Sequence, residues 1–209
     1  VVTPYAAART TWNKATSLNS GPWAVVQASA AEHALRAVSC ARLERTRWPD
    51  RRRRLCAIAG AHGFEGDGSC NGGVLVDVGG LRRSSLNPER SEVTFGSGVT
   101  IGQIVLALNG SKRVMPLGHC VTVGITGVTL SGGQGLLSRR YGLTADSLVR
   151  VEYVSVNGAH AVADAQHNND LLWLARGAGA GGDHFPGIIT ALTFATHSDA
   201  EITGWTEFK

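Results

Sequence analysis

The sequence predicts an α+β fold in two parts, and three observations carry that prediction. Up to about residue 90, short apolar runs surround one helical stretch, a β-α-β texture. Beyond it, strands separated by tight turns read as antiparallel sheet with helices attached. The third observation is glycine, 27 of 209 residues against a usual ~7%. That content implies many positions where the backbone is left-handed or pressed close to a neighbour. A chain of this length holds one large domain or two small ones. The expected parts are 1–90 and 91–209, with no internal repeat.

The elements of the first part follow from local signals. Residues 23–27 read as a short strand. Ser29 and Glu32, three apart, form a capping-box pattern that opens a helix with Leu35, Val38 and Ala41 on its apolar face. Pro49 and the neighbouring arginines end that helix. Residues 55–59 make a small apolar strand, followed by a glycine-containing loop, and 74–78 make another after the Gly/Cys/Asn loop at 66–73. Strands joined by a helix imply parallel pairing with a helical crossover.

In the second part, residues 92–95 are strand-like, and 100–108 read as a short helix capped by Thr100. Residues 118–135 are rich in glycine and β-branched residues. Residues 148–156 form a strand, and Asn157 with Gly158 is a strong hairpin turn before 159–163. Residues 169–176 look helical, and 188–196 form the last strand.

Composition excludes several classes. Hydrophobic residues make up 43% and charged residues 17%, which is globular rather than disordered. No apolar run approaches the ~18 residues of a membrane span. Residue 1 is Val and no signal peptide is visible in this chain, so the compartment stays open with the cytoplasm favoured. The net charge is +4, and arginines cluster between Arg36 and Arg54, including the run 51–54. The cluster lacks a groove-reading motif and aromatic partners beyond Trp48, so a solvated helix end is favoured over a nucleic-acid surface. Cys40, Cys56, Cys70 and Cys120 contain no C-x-x-C pair, and four cysteines are too few for a disulfide scaffold. With no H-E-x-x-H either, no metal site is expected.

Residues 177–182 satisfy G-x-G-x-x-G, with Asp199 and Glu201 about twenty residues on. A dinucleotide fingerprint of that type needs a strand before the glycines and a helix after them. Here a helical segment precedes, and Pro186 with a β-branched strand follows. There is no Walker A sequence and no G-x-S-x-G elbow.

Residues 116–148 are more specific. They contain P-x-G-x-C-x-x-V-G-x-x-G, a glycine cluster, and then L-x-S-R-x-Y-G-L-x-x-D. This resembles the central FAD-binding signature of the berberine-bridge-enzyme-like oxidases of the vanillyl-alcohol-oxidase superfamily. Gly60, His62 and Gly63 with Glu65 and Gly66 are similar to the family's S-G-G-H loop. Asp170, Trp173, Arg176, Gly177 and the stretch 185–190 are similar to its D-L-F-W-x-x-R-G and F-G-x-V-T. Tyr5, Arg9, Trp12, Asn13, Pro22, Val25 and Val26 fit the family's start, so the likeness covers almost the whole chain.

The resemblance implies an α+β, two-subdomain FAD-binding fold with FAD between the parts. It implies that His62 is bonded to the flavin 8α carbon and Cys120 to flavin C6. Gly60, Ala61 and Gly63 would present backbone N–H groups to the cofactor, as would Gly118, Val123, Gly124, Gly127, Gly132, Gly133 and Gly135. Asp146 would support the flavin site. Gly187, Ile188 and Ile189, sheet core in their own right, would also line it. The implied partners are a small-molecule substrate (alcohol, sugar or alkaloid-type), dioxygen, and a substrate domain absent from this chain that carries the catalytic base. No catalytic residue is therefore assigned, and neither nucleic acid nor membrane is expected as a partner.

Several positions depart from the family pattern. Ile58 replaces an arginine, Ala61 a glycine, Val128 a histidine, and Ser131 the first glycine of a triple. Extra residues lie around 48–54, and the late glycine loop is longer and contains Pro186. Cys40, Cys56 and Cys70 receive no family role. Two rival readings stay open at this point, a flavin-free interaction module and a basic nucleic-acid-associated protein.

Overall fold

The computed structural model describes residues 4–18, 21–47, 54–66, 68–89, 91–178, 185–200 and 202. Two short helices, α1 (Tyr5–Ala8) and α2 (Lys14–Leu18), lead into β1 (Ala24–Gln27), and the long helix α3 (Ala31–Arg47) connects it to β2 (Leu55–Ile58). Strand β3 (Val74–Asp77) then inserts between them, giving a three-stranded parallel sheet of order β1-β3-β2. The helical crossover is what the sequence predicts. The apolar runs Ala24–Gln27 and Val74–Asp77 pair in register, Ala24 opposite Val74 and Gln27 opposite Asp77.

The second sheet is antiparallel throughout. Its strands are β4 (Ser84–Asn87), β5 (Glu92–Gly96), β7 (Leu148–Ser155), β8 (His160–Ala163) and β9 (Gly187–Ala195), in the order β4-β5-β9-β7-β8. A minor ladder joins β6 (Arg113–Val114) to β10 (His197–Ser198). Helix α4 (Ile101–Leu108) buries Ile101, Ile104 and Leu108, the last two in the core that includes Val93, Phe95 and Phe194 of the sheet. Its cap is as expected, with the Thr100 N–H donating to Gln103 Oε1 at 3.0 Å. Helices α5 (Ile125–Leu130), α6 (Ser138–Tyr141) and α7 (Asn169–Trp173) complete the part. Phe95 and Phe194, both fully buried, sit at the centre of its core with ring centroids 6.5 Å apart.

Helix α3 lies between the two sheets. Its Ala34, Ala37 and Val38 pack with Val76 and Val78 on one side, and with Val154 of β7 and Ile188 of β9 on the other. Alanine at two of the three contact positions lets the helix approach both layers closely.

Some expectations are revised. Strand β4 pairs with β5, so the sheets divide between Asp77 and Ser84 rather than near residue 90. Its polar residues, mostly exposed on the sheet edge, carry no apolar alternation to announce a strand. At the start of α3, it is His33 rather than Glu32 that reaches back, its Nδ1 accepting the Ser29 N–H at 3.2 Å. Cys56 and Cys70, given no role from sequence, form a disulfide across a sequence separation of 14. The segment 169–176 is α-helical through Trp173 and continues as a wider π-helical turn over Leu174–Ala178, within which Arg176 at φ −90°, ψ 42° and Gly177 at φ 112° leave helical geometry. Of the arginine cluster, residues 51–53 lie outside the described residues, as do residues 179–184 of the late glycine loop and Glu201.

Candidate cofactor cleft

Strand β2 ends at Ile58 and releases the loop that carries His62. Ala61 adopts a left-handed backbone, φ 55°, the conformation for which the resembling family keeps a glycine. Among the described residues, the N–H groups of residues 60–63 donate to no acceptor. A left-handed residue within a run of free N–H groups makes a concavity suited to an anion.

This loop touches the second part backbone to backbone. A Cβ built on Gly60 would stand 2.4 Å from the Gly124 nitrogen, and one on Gly124 would stand 2.7 Å from the Gly60 nitrogen. No side chain fits between them, which is why both positions are glycine. Gly124 is also the N-cap of α5, where the Ile125 N–H donates to Val99 O at 2.9 Å.

A cleft of about 370 Å³ opens beside this contact, within the range of small-molecule sites. Gly60, Ala61, His62 and Gly63 line one wall, and Val123, Gly124 and Gly127 line the facing one. Gly187 and Ile189 of β9 contribute to the lining as well. The other lining side chains among the described residues, including Ile58, Val78, Val128 and Phe185, are mainly apolar, and none of these carries a fixed charge. Ile58, standing where the family has arginine, covers Gly68 at contact distance instead. Thr126 turns its hydroxyl away, donating to Ser97 O at 2.8 Å. A Cβ on Gly127 would meet nothing within 4 Å. The cleft therefore offers an apolar slot for flat rings and free backbone N–H groups for phosphate, a donor set that fits FAD.

The remaining expected residues lie outside the lining. Cys120 is exposed, a free thiol with Sγ 3.7 Å from Thr122 Oγ1, on the turn whose Val123 N–H returns to Cys120 O at 3.2 Å. Gly118 packs against Ile101, and a Cβ on Gly135 would overlap the Leu117 carbonyl. Gly132 and Gly133, both at positive φ, accept the N–H groups of Ala145 and Thr144 at 2.9 and 2.8 Å. Asp146 Oδ2 accepts the Leu143 N–H at 2.7 Å and so closes the turn after α6. Ile188 faces α3 in the core. These glycines and Asp146 fold the loop, and the lining residues face the space.

Two ionisable groups, Asp77 and His197, are displaced from their ordinary behaviour. At the end of β3, burial pushes the Asp77 carboxyl above its usual range, opposed by the Gly79 N–H that donates to Oδ1 at 2.8 Å and by Arg82. His197 of β10 stacks on Tyr141 of the S-R-x-Y motif with centroids 4.0 Å apart. Burial, then the Arg113 charge, pushes its imidazole below the usual value.

Residues 22–164 match the FAD binding domain family. The chain belongs to that family. The FAD-binding domain is 39% identical over 127 residues to an uncharacterised FAD-linked oxidoreductase, YvdP, of Bacillus subtilis, covering 61% of this chain and 28% of that protein. Its fold superposes on Physcomitrella patens BBE-like 1 with a TM-score of 0.80 and 33% identity, over 93% of this chain and 40% of the other. A carbohydrate oxidase from Microdochium nivale gives a TM-score of 0.74 at 29% identity, over 83% and 35%. The fold is thus the berberine-bridge-enzyme-like, vanillyl-alcohol-oxidase type, and the chain spans well under half of these relatives. No helix among the described residues is long and apolar enough to cross a membrane.

The FAD-binding domain also holds a contact of His62 to which the sequence alone assigns no role. Trp12 stacks on His62, with ring centroids 5.5 Å apart and planes 22° apart. The two are fifty residues apart and share no periodicity; the family-like Trp12 and Asn13 pair was the one signal pointing to that segment.

Proposed function

We propose that this domain holds FAD in the cleft and forms the flavin-binding part of an oxidase. That oxidase would take a hydride from an alcohol, sugar or alkaloid-type substrate and pass the electrons to dioxygen, giving hydrogen peroxide. The observation that carries the reading is the run of free N–H groups at residues 60–63, held by the Gly60–Gly124 contact beside an apolar slot. FAD, when bound, supplies the two-electron acceptor.

The chain's own residues bind and orient. The N–H groups of 60–63 hold negative charge, with no Lys or Arg among the described lining residues, and Val123, Val128 and Ile189 keep water from the ring system. His62 and Cys120 attach the flavin covalently, the histidine from the wall of the cleft and the cysteine from the exposed turn three residues before Val123. An accessible thiol suits that second role, because the thiolate is the nucleophilic form. The catalytic base and the substrate-facing wall come from outside this chain, and the carbohydrate oxidase neighbour supports the sugar class. General-base catalysis contributes ~10²–10⁴-fold, so the 209-residue chain alone turns substrate over weakly or not at all.

The test is the visible spectrum and mass of the chain after denaturation and washing. His62→Ala and Cys120→Ala should each retain flavin with a shifted spectrum, and only the double variant should release it. An unmodified mass from a yellow folded protein reduces the reading to non-covalent binding. A colourless fold that takes up no FAD overturns it.

A further inference from the structure

We infer that Trp12 is a positioning residue for His62, holding its imidazole against the cleft wall so that the ring meets the cofactor edge in one orientation. The inference rests on the covalent attachment proposed above. His62 lines the cleft, and its ring also stacks on Trp12 at 5.5 Å and 22°. The indole thus backs the imidazole without being part of the cleft lining itself.

The backing is fixed by three further contacts between the amino-terminal segment and the loop. The Trp12 N–H donates to Ala61 O at 2.8 Å, directly beside the left-handed residue. Asn13 Nδ2 donates to Phe64 O at 2.7 Å. Thr16 packs over Gly66, where a Cβ would lie 2.7 Å from Thr16 Cβ. Phe64 adds an aromatic flank, its ring 6.4 Å from Trp12. Hydrogen bonds on either side of His62 set the backbone, and the indole face sets χ1 and χ2. A histidine with free N–H neighbours and an exposed loop would otherwise sample several rotamers.

Joining an imidazole nitrogen to the 8α carbon removes one hydrogen from each partner. The two electrons enter the flavin, and dioxygen takes them up. The bond forms only from a geometry in which the nitrogen faces that carbon, and misplacement by about 1 Å costs on the order of 10²-fold in rate. Losing the indole should therefore slow attachment through His62 by a factor of that order and leave non-covalent affinity nearly unchanged.

The experiment uses the 209-residue chain in a Cys120→Ser background, so that His62 alone can retain flavin. FAD is added to flavin-free protein, and the fraction surviving denaturation is followed in time for Trp12, Trp12→Ala and Trp12→Phe, beside the dissociation constant for non-covalent FAD. In parallel, the His62 ring-proton resonances are recorded without flavin. Slow attachment in Trp12→Ala, rescue by Trp12→Phe and loss of the upfield ring-current displacement in the alanine variant support the inference. Attachment at the parent rate in Trp12→Ala overturns it. A Cys120→Ser chain that binds FAD yet never retains it overturns the attachment reading instead. The resonances, which need no flavin, then decide the Trp12 role: unmoved His62 signals in Trp12→Ala refute it.

Discussion

Gly60→Ala tests whether the two parts of the domain meet through bare backbone. The new methyl would stand 2.4 Å from the Gly124 nitrogen and 2.8 Å from the Gly124 Cα. Both obstacles are main chain, so no rotamer change relieves them, and restoring ordinary contact requires the loops to part by about 1 Å. Overpacking of this kind costs ~1–3 kcal/mol, and the reduced freedom of the unfolded chain returns ~0.4–1 kcal/mol. The net loss is ~1–2 kcal/mol, a fall in Tm of roughly 2–8 °C for a chain of this size. FAD affinity should weaken by about tenfold if the separation is felt in the cleft. Gly127→Ala provides the opposite case. It lies within α5, where alanine gains up to ~1 kcal/mol over glycine, and its Cβ meets nothing within 4 Å beyond the backbone of its own helix. That variant should be more stable than the parent without FAD, and bind FAD less well because its methyl occupies the cleft. Differential scanning calorimetry and flavin titration read both quantities. A Gly60→Ala chain as stable as the parent, or a Gly127→Ala chain that loses stability without FAD, would refute the reasoning.

Three further outcomes are expected. Ala61→Gly should stabilise by ~0.5–1 kcal/mol, since relief of the left-handed backbone (~1–2 kcal/mol) exceeds the entropy glycine adds to the unfolded chain (~0.4–1 kcal/mol); an unchanged or lower denaturation midpoint contradicts this. Burial raises the Asp77 folded pKa above 3.8, so its contribution to stability is present below that value and lost as pH rises through the folded pKa. Asp77→Asn, whose Oδ1 still accepts the Gly79 N–H, should therefore be more stable than the parent at neutral pH, with the advantage shrinking below pH 3.8. The His197 folded pKa is lowered from 6.5, so its contribution is present above that value and lost as pH falls through the folded pKa. His197→Phe keeps the stack on Tyr141, and its stability should fall less on mild acidification; parallel pH profiles would count against the assignment.

The parts of the fold that sequence announces are those with a local cause. Thr100 and Gln103 are a cap wherever they occur before an apolar helical run, and Asn157 with Gly158 is a turn because Gly158 takes φ 73°. The crossover through α3 follows from apolar runs on either side of one helical stretch. Helix α5 has no such local cause: Ile125, Thr126, Gly127, Val128 and Thr129 are weak helix formers, and its start is set by Gly124 resting on Gly60 and by the Ile125 N–H on Val99. Strand β4 is polar and marginal, and exists because β5 offers it a free edge. The cleft divides in the same way. His62 and Gly124 are legible from motif spacing, whereas the tryptophan behind His62 is placed by tertiary contacts that span the chain. The Cys56–Cys70 pairing is likewise a matter of Cα atoms brought to 5.8 Å by folding.

That disulfide encloses one whole wall of the cleft. Residues 57–63 and Gly68, all part of the lining, lie inside the ring it closes, and a covalent ring of this size removes roughly 3 kcal/mol of freedom from the unfolded chain. The opposite wall, around α5, has no such covalent tether and is held by packing and by hydrogen bonds such as those of the Ile125 N–H to Val99 O and the Thr126 hydroxyl to Ser97 O. The order of maturation follows from this asymmetry. A chain oxidised before it meets its cofactor presents a finished half-mould, into which the flavin and the α5 wall settle. A chain kept reduced would have to arrange that loop out of the binding energy of the flavin itself. The redox state of the compartment in which the chain folds thus becomes a determinant of how readily the FAD-binding cleft forms.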